Sequence, residues 1–135
     1  MPDSIYADII LDYYKNPRNF GKIENSDASA HDLNPLCGDE IEIHLKVDNN
    51  KFSDVKFSGH GCAISQATAS MLTEFVMGKS LDEVKSMTKD DITDLIGIEL
   101  SYVRIKCALL SLKVLKLATY QYMGERMSDK EKDTL

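Results

Sequence analysis

The chain has 135 residues, a formal net charge of −6 and 43% hydrophobic residues. This length fits one domain, so we expect residues 1–135 to form a single unit. The acidic balance argues against non-specific binding of nucleic acid, which needs a basic surface, and gives no reason to expect an anionic membrane as partner. The sequence has neither a run of about 18 apolar residues nor a basic stretch followed by an apolar one at its start. We therefore expect a soluble protein of the cytoplasm.

The first part of the chain predicts one helix and one short strand. Ser4 is a suitable N-cap, and the apolar residues behind it recur at the spacing of one helical face: Ile5, Ile9 and Tyr13. Pro17 cannot continue the helical hydrogen-bond ladder and restricts the residue before it, so the helix is expected to end near Asn16. After a polar stretch, a short strand is predicted near residues 28–33.

A β-hairpin is predicted next. Residues 40–47 alternate between polar side chains and four apolar ones, which are Ile41, Ile43, Leu45 and Val47. This alternation is typical of a strand that is buried on one face. Residues 48–51 have turn chemistry, and residues 52–58 are predicted to form the second strand. The two glycines of Gly59-His60-Gly61 are expected to break that strand and to turn the chain tightly.

Four helices are predicted after the hairpin. The first covers residues 64–77 and stops at a glycine. Ser80 and Thr88 are each followed three residues later by an acidic residue, which is the capping-box pattern that begins a helix. The longest helix is predicted over residues 102–123, and the charged residues 124–135 are expected to fray. One helix, a small sheet and several helices together indicate an α+β fold.

The three cysteines carry most of the information about function. An odd number of widely spaced cysteines argues against a disulfide framework and fits a reducing compartment. Cys37 precedes the first hairpin strand, Cys62 follows the second, and Cys107 lies in the first turns of the last helix. Because a hairpin brings those two strand ends to one edge, Cys37 and Cys62 are expected side by side. Thiolates are soft ligands that select zinc, copper(I) or iron–sulfur clusters.

Asp39 lies two residues after Cys37 and is the candidate fourth ligand. A carboxylate oxygen is a harder ligand than sulfur, so three thiolates and one carboxylate should hold their cargo less firmly than four thiolates. That composition suits delivery better than storage. Against it, a lone cysteine is more often a small buried apolar residue, and an aspartate after glycine is more often a turn residue. The cysteine spacing matches no zinc finger, so the residues alone indicate only a three-cysteine site.

Charges near the cysteines favour reactive thiolates. A helix that begins near Cys62 would stabilise its thiolate through the helix dipole, and Arg104 and Lys106 bring positive charge near Cys107. A nucleophilic thiolate is what an acceptor of persulfide sulfur needs. His60 could also ligate a metal, but its place between two glycines predicts exposure, and the other two histidines are predicted to be surface residues. The sequence shows no hydrolase triad, phosphate loop or dinucleotide fingerprint.

Three ordered motifs resemble the U-type iron–sulfur assembly family, which comprises the NifU N-terminal domain, IscU and SufU. They are Cys37-Gly38-Asp39, Gly61-Cys62-Ala63-Ile64-Ser65 and Lys106-Cys107. Asn16-Pro17-Arg18-Asn19 near the start, and Ala67-Thr68-Ala69-Ser70 after the second cysteine, are also similar to the family. The resemblance covers nearly the whole chain.

The resemblance implies a SufE/NifU-like α+β fold with a three-stranded antiparallel sheet packed against several helices. It implies that Cys37, Asp39, Cys62 and Cys107 bind a transient [2Fe–2S] cluster, or Zn²⁺ at the same place. It also implies a pyridoxal-phosphate cysteine desulfurase of the IscS, SufS or NifS type as sulfur donor, with apo iron–sulfur proteins as acceptors. Cys107 is the candidate sulfur acceptor. We expect a monomer or a weak homo-oligomer, and a scaffold rather than an enzyme.

The chain departs from two subfamilies. The housekeeping scaffolds carry histidine before the third cysteine, where this chain has Lys106. They also carry a Leu-Pro-Pro-Val-Lys stretch that an Hsp70-type chaperone binds, where this chain has Leu-Ser-Tyr-Val-Arg at residues 100–104. The SufU type has lysine at the position of Lys106, but it usually carries an insertion between the second and third cysteines that this chain is too short to hold.

Three hypotheses remain open at this point. The first is a cluster scaffold with Asp39 as the labile ligand. The second is a zinc-dependent sulfurtransferase of the SufU type that accepts persulfide sulfur from the desulfurase. The third is a structural zinc module, which would unfold when the metal is removed by a chelator.

Overall fold

The computed structural model describes residues 2–35, 38–125, 127, 128, 130, 131 and 135, and Cys37 lies outside this set. The order of the elements within it is one helix, three strands and four helices. Their bounds are α1 Pro2–Lys15, β1 Ala28–Asn34, β2 Asp39–Asp48, β3 Lys51–His60, α2 Ala63–Val76, α3 Leu81–Lys85, α4 Lys89–Ile96 and α5 Tyr102–Met123. This order confirms the α+β prediction.

The three strands form one antiparallel sheet in the order β1-β2-β3, as the resemblance implied. Glu40 at the start of β2 lies opposite His60 at the end of β3, which confirms the predicted hairpin geometry. Alternate side chains of β2 and β3 are fully buried on one face of the sheet: Ile41, Ile43, Leu45, Val55 and Phe57. The opposite face carries the polar side chains, as the alternation predicted.

Strand β3 is longer than the sequence predicted. It continues through Gly59 and His60, whereas the glycines were expected to break it. Gly59 has a φ of +147°, and a Cβ at that position would collide with the carbonyl group of Glu40. The glycine therefore keeps β3 paired closely with β2 up to the edge of the sheet.

Helices α2 and α5 pack together over the apolar face of the sheet and form the core with it. An ion pair of 2.8 Å between Asp32 and Lys113 connects β1 to α5. The predicted caps at Ser80 and Thr88 are present: the Ser80 side chain accepts a hydrogen bond from the backbone N–H of Glu83, and the backbone N–H of Thr88 donates one to Asp91. Gly97 ends α4 in the left-handed region. In the part of the chain that the structure describes, no helix is both long and apolar enough to cross a membrane.

Two predictions at the ends of the chain were wrong. Helix α1 begins at Pro2, so Ser4 lies inside it and is not the N-cap. Proline is tolerated there because the first turn of a helix leaves its backbone N–H groups unbonded. At the other end, Met127 is buried, and Glu131 accepts hydrogen bonds from the buried Lys116 at 2.8 Å and from Tyr120 at 2.7 Å. These contacts attach the described residues of the tail to α5 and contradict simple fraying.

Two glycines with the same backbone conformation provide a test of how α1 is held. Gly78 and Gly97 both have a φ of +83°, but only at Gly97 would a Cβ meet another side chain, the ring of Tyr6 in α1. We expect Gly78→Ala to lower the free energy of unfolding by about 1 kcal/mol through backbone strain alone. Gly97→Ala should lower it by at least about 1 kcal/mol more, because Tyr6 must move. Urea denaturation measures both, and equal losses would contradict the packing of α1 on Gly97.

A second test concerns the attachment of the tail. Glu131→Gln leaves the ammonium group of Lys116 without its charged partner, and we expect a loss of about 1–2 kcal/mol in the free energy of unfolding at pH 7. Burial opposes ionisation of Glu131, but the hydrogen bonds from Lys116 and Tyr120 outweigh it and lower its pKa below the ordinary 4.5.

The sign of the pH dependence follows from that lowered pKa. The stabilisation is present above the ordinary carboxyl pKa and is lost as the pH falls through the lower pKa of the folded state. The difference between the parent protein and Glu131→Gln should therefore disappear in acid. Glu125→Gln, which breaks a more exposed pair with Lys85, is the matched control and should cost less at pH 7. A difference for Glu131→Gln that does not depend on pH would contradict the ion pair.

Candidate functional site

Three of the four predicted site residues meet at one edge of the sheet. Asp39 opens β2, Cys62 follows β3, and Cys107 enters from α5. One ligand atom from each, a carboxylate oxygen or a sulfur, lies within 4.8 Å of the other two. The sequence predicted from topology that Cys37 and Cys62 lie side by side, and Cys37 lies outside the described residues; the structure brings Asp39 beside Cys62. The register of β2 and β3 provides it, because Glu40 and His60 are paired next to Asp39 and Cys62.

Asp39 is fully buried, and its carboxylate is held by Cys62. Oδ1 accepts a hydrogen bond of 2.7 Å from the backbone N–H of Cys62, and Oδ2 accepts one of 3.6 Å from its thiol. A charged acceptor strengthens such a bond, and the contact fixes the direction in which the carboxylate points. Asp39 is therefore a buried acceptor at the site rather than an exposed turn residue.

Cys62 is the N-cap of α2. Its backbone is extended, with φ −70° and ψ 161°, and its sulfur accepts a hydrogen bond of 3.4 Å from the backbone N–H of Ser65. The sulfur of Cys62 therefore lies at the N-terminus of α2, within reach of its first backbone N–H groups. The side chain is only partly buried, so this sulfur is accessible from solvent.

Gly61 brings Asp39 and Cys62 together. Its φ is +147°, and a Cβ at this position would collide with the carboxylate of Asp39. At Gly38, by contrast, nothing lies within 4 Å of where a Cβ would stand. Glycine is therefore required at position 61 by the close approach of a carboxylate.

Cys107 is 1% exposed and lies in the second turn of α5. The positive charges predicted near it differ in their surroundings. Lys106 is half-buried, with its ammonium 5.9 Å from the centre of the Tyr102 ring, whereas Arg104 is exposed. Lys106 also lines a groove of about 210 Å³ whose other walls include Asn34 and Pro35.

The donor set fits a soft or borderline metal. Two sulfurs and one carboxylate oxygen within 4.8 Å suit a tetrahedral ion whose bonds to sulfur are about 2.3 Å long. Two buried polar atoms among the described residues have no hydrogen-bond partner, Ser65 Oγ and Gln66 Nε2, and both belong to the first turn of α2. A buried hydroxyl without a hydrogen-bond partner destabilises the fold, so Ser65 Oγ, three residues after Cys62, is an unusual feature of this turn. The sequence analysis did not predict this unpaired hydroxyl.

The histidines are arranged apart from the sulfurs. His60 is exposed, as predicted, and its ring contacts Glu40 on the open face of the sheet. His31 contacts the same glutamate from β1, and His44 contacts Glu42. The fourth predicted ligand, Cys37, lies outside the described residues, so its place in the site stays a prediction.

Comparison with known proteins identifies a family that covers most of the chain. The model of the NifU-like N terminal domain matches residues 5–129. The iron–sulfur cluster assembly scaffold protein IscU 1 of Archaeoglobus fulgidus is 38% identical over 118 residues, which cover 87% of this chain and 76% of that protein. The zinc-dependent sulfurtransferase SufU of Bacillus subtilis is 39% identical over 132 residues, which cover 84% of this chain and 88% of that protein.

A solved structure shares the fold as well as the sequence. The crystal structure of a protein from Fervidobacterium islandicum AW-1, assigned as an iron–sulfur cluster assembly scaffold for the SUF system, superposes with a TM-score of 0.73 at 36% identity. The superposition covers 88% of this chain and 99% of that one. From the extent of the family match and the identity to these relatives, the chain belongs to the NifU-like N-terminal domain family.

Proposed function

We propose that this protein is an iron–sulfur cluster assembly scaffold, which takes sulfur from a cysteine desulfurase, assembles a labile [2Fe–2S] cluster and passes it to acceptor proteins. The observation that carries the proposal is the meeting of Asp39, Cys62 and Cys107 within 4.8 Å at the edge of the sheet. Two relatives of comparable identity, one an IscU scaffold and the other a SufU sulfurtransferase, work in sulfur or cluster chemistry according to their names.

The role of each ligand follows from its chemistry. Cys62 and Cys107, with Cys37 as the third proposed thiolate, are the soft ligands that iron and sulfide require. Asp39 is the harder ligand, and both of its oxygens already accept hydrogen bonds from Cys62. A metal must compete with those bonds for the carboxylate. Asp39 is thus the ligand that an incoming acceptor thiolate displaces first.

Sulfur would arrive as a persulfide. A thiolate of this chain attacks the terminal sulfur of the desulfurase persulfide, a new sulfur–sulfur bond forms, the old one breaks, and the desulfurase cysteine leaves as a thiolate. Each sulfane sulfur then needs two electrons from an external reductant to become sulfide. Cys107 is the proposed acceptor. Because it is 1% exposed, the transfer requires the start of α5 to move or the partly exposed Cys62 to react first.

The second candidate function is a zinc-dependent sulfurtransferase. The Bacillus subtilis relative bears that name, and Lys106 precedes Cys107 as in the SufU type. The alignment is 132 positions long but includes only 84% of the 135 residues of this chain. The relative therefore has extra residues within the aligned region. In this alternative, zinc stays at the site and only sulfur is passed on. A structural zinc module is the third candidate, and an unchanged melting temperature after chelation would exclude it.

Anaerobic reconstitution distinguishes these functions. The protein is mixed with ferrous iron, cysteine, a thiol reductant and a cysteine desulfurase, and visible absorption is followed while apo-ferredoxin is added. A scaffold gives the visible absorption of a bound cluster, which is replaced by the absorption of holo-ferredoxin as the cluster is transferred. If no cluster forms while zinc stays bound and the desulfurase is stimulated, the scaffold function is wrong and the sulfurtransferase is supported.

The same assay tests Asp39 as the labile ligand. Asp39→Ala should bind the cluster for longer and release it about tenfold more slowly, which corresponds to about 1.4 kcal/mol in the barrier, because exchange must then begin at a stronger iron–thiolate bond. Asp39→Asn is the second variant, since its amide oxygen can still accept the hydrogen bond from Cys62 and preserve the fold. Asp94→Ala, at an exposed position of α4, is the control. Unchanged or faster release from both Asp39 variants would contradict this role.

The identity of the sulfur acceptor has its own test. After incubation with the desulfurase and cysteine, persulfides are alkylated and their positions are read by mass spectrometry of peptides. We expect a persulfide on Cys107, and Cys107→Ser should remove it while the desulfurase still binds. Cys62→Ser reports whether sulfur reaches Cys107 directly. A persulfide on Cys62 alone in the parent protein would contradict the assignment of Cys107 and favour the more accessible thiol.

A further inference from the structure

The open face of the sheet carries a second group of metal-ligating side chains, on the side away from the core. His60 in β3 is paired directly with Glu40 in β2, and His31 in β1 is paired with Glu42, two residues along β2 from Glu40. Paired residues and residues two apart in a strand share one face of a sheet. His31, Glu40 and His60 therefore stand together although they come from three different strands.

The carboxylate of Glu40 joins the two imidazoles. His31 Nε2 contacts Oε1, and His60 Nε2 contacts Oε2 at 2.8 Å. The side chains are 38% exposed for Glu40, 43% for His31 and 75% for His60. Each has room for a solvent-borne ion to reach it. The group contains no sulfur, so its donor atoms differ in kind from those of the thiolate site.

We propose that His31, Glu40 and His60 bind a divalent transition-metal ion. Two imidazoles and one carboxylate are the donors of open ferrous sites and of several zinc sites, with the remaining positions filled by water. Nitrogen and oxygen donors suit ferrous iron and similar borderline ions, while the softer thiolates attract zinc and copper(I) more strongly. An imidazole binds a metal ion through the lone pair of one ring nitrogen, so the Nε2 contacts with Glu40 would be exchanged for bonds to the ion.

The backbone favours this site, but the side chains must rearrange to close it. The missing side chain of Gly59 lets β3 approach the backbone carbonyl of Glu40, and the strand pairing places His60 beside the side chain of Glu40. The two ring nitrogens contact different oxygens of Glu40, and the ligand atoms of the three residues do not all lie within 4.8 Å of one another. The proposal therefore requires the His60 side chain to rotate toward His31. That side chain is three quarters exposed, so its rotation breaks no core packing.

A neighbouring pair on the same face serves as an internal control. His44 contacts Glu42 at 2.7 Å, but its side chain is only 15% exposed and its Nδ1 lies 3.2 Å from the backbone nitrogen of Ile23. The ammonium of Lys22 lies 3.4 Å from the same carboxylate and repels a cation there. His44 and Glu42 are therefore occupied within the protein. They should not bind the ion.

Cobalt(II) titration of the full chain tests the proposal. The three histidines give three pairs of ring C–H signals in NMR spectra, and paramagnetic cobalt shifts or broadens those of its ligands. We expect early changes at His31 and His60 and no comparable change at His44. The near-ultraviolet absorption of cobalt thiolates reports the cysteine site separately, so failure at one site is distinguishable from failure at the other.

Matched variants make the test decisive. Glu40→Gln and His31→Asn should each weaken cobalt binding at this site at least about tenfold, or 1.4 kcal/mol, and leave the thiolate absorption unchanged. His44→Asn should leave the affinity unchanged. The proposal is overturned if the His31 and His60 signals stay constant, if Glu40→Gln binds equally well, or if all three histidines respond together, which would indicate diffuse surface binding.

Discussion

The hydrogen bond from the Cys62 amide to the buried carboxylate of Asp39 sets the geometry at the edge of the sheet. It joins the first residue of β2 to Cys62, which follows β3 and caps α2. The bond exists because Gly61 has no side chain to separate the two. A carboxylate removed from water needs such a partner, since an unpaired buried charge is strongly destabilising. This one contact thus connects the strand pairing, the helix cap and the position of the Cys62 sulfur.

Consecutive residues of β2 consequently serve opposite sides of the sheet. Asp39 faces the sulfurs of Cys62 and Cys107, and Glu40 faces the solvent side with two imidazoles. This follows from the alternation of side chains along a strand. A soft, sheltered set of donors and a harder, open set are separated by a single peptide unit. Ions of different character can therefore be distinguished within a short distance along one chain.

The sequence predicted most of the fold because its patterns are local. The alternation at residues 40–47 and the caps at Ser80 and Thr88 depend on neighbours within a few residues, and the corresponding elements are present. The hairpin also predicted that its two ends meet. The continuation of β3 through Gly59 could not be predicted, because it depends on contact with β2 rather than on glycine's own preference. The burial of Asp39 and the attachment of Glu131 likewise depend on partners distant in sequence.

Helix α5 begins near the site, and its first turn is weakly held. Residues 101–104 are all exposed, whereas most side chains from Ile105 to Leu115 are buried. Stability against local opening follows the number of buried contacts, so this first turn can unwind while the remainder of the helix stays in place. Such a movement gives solvent and partners transient access to Cys107. The reactivity of that thiol is then governed by the equilibrium between the closed and the open first turn of α5. The amide protons of this turn should exchange with solvent far sooner than those in the middle of the helix.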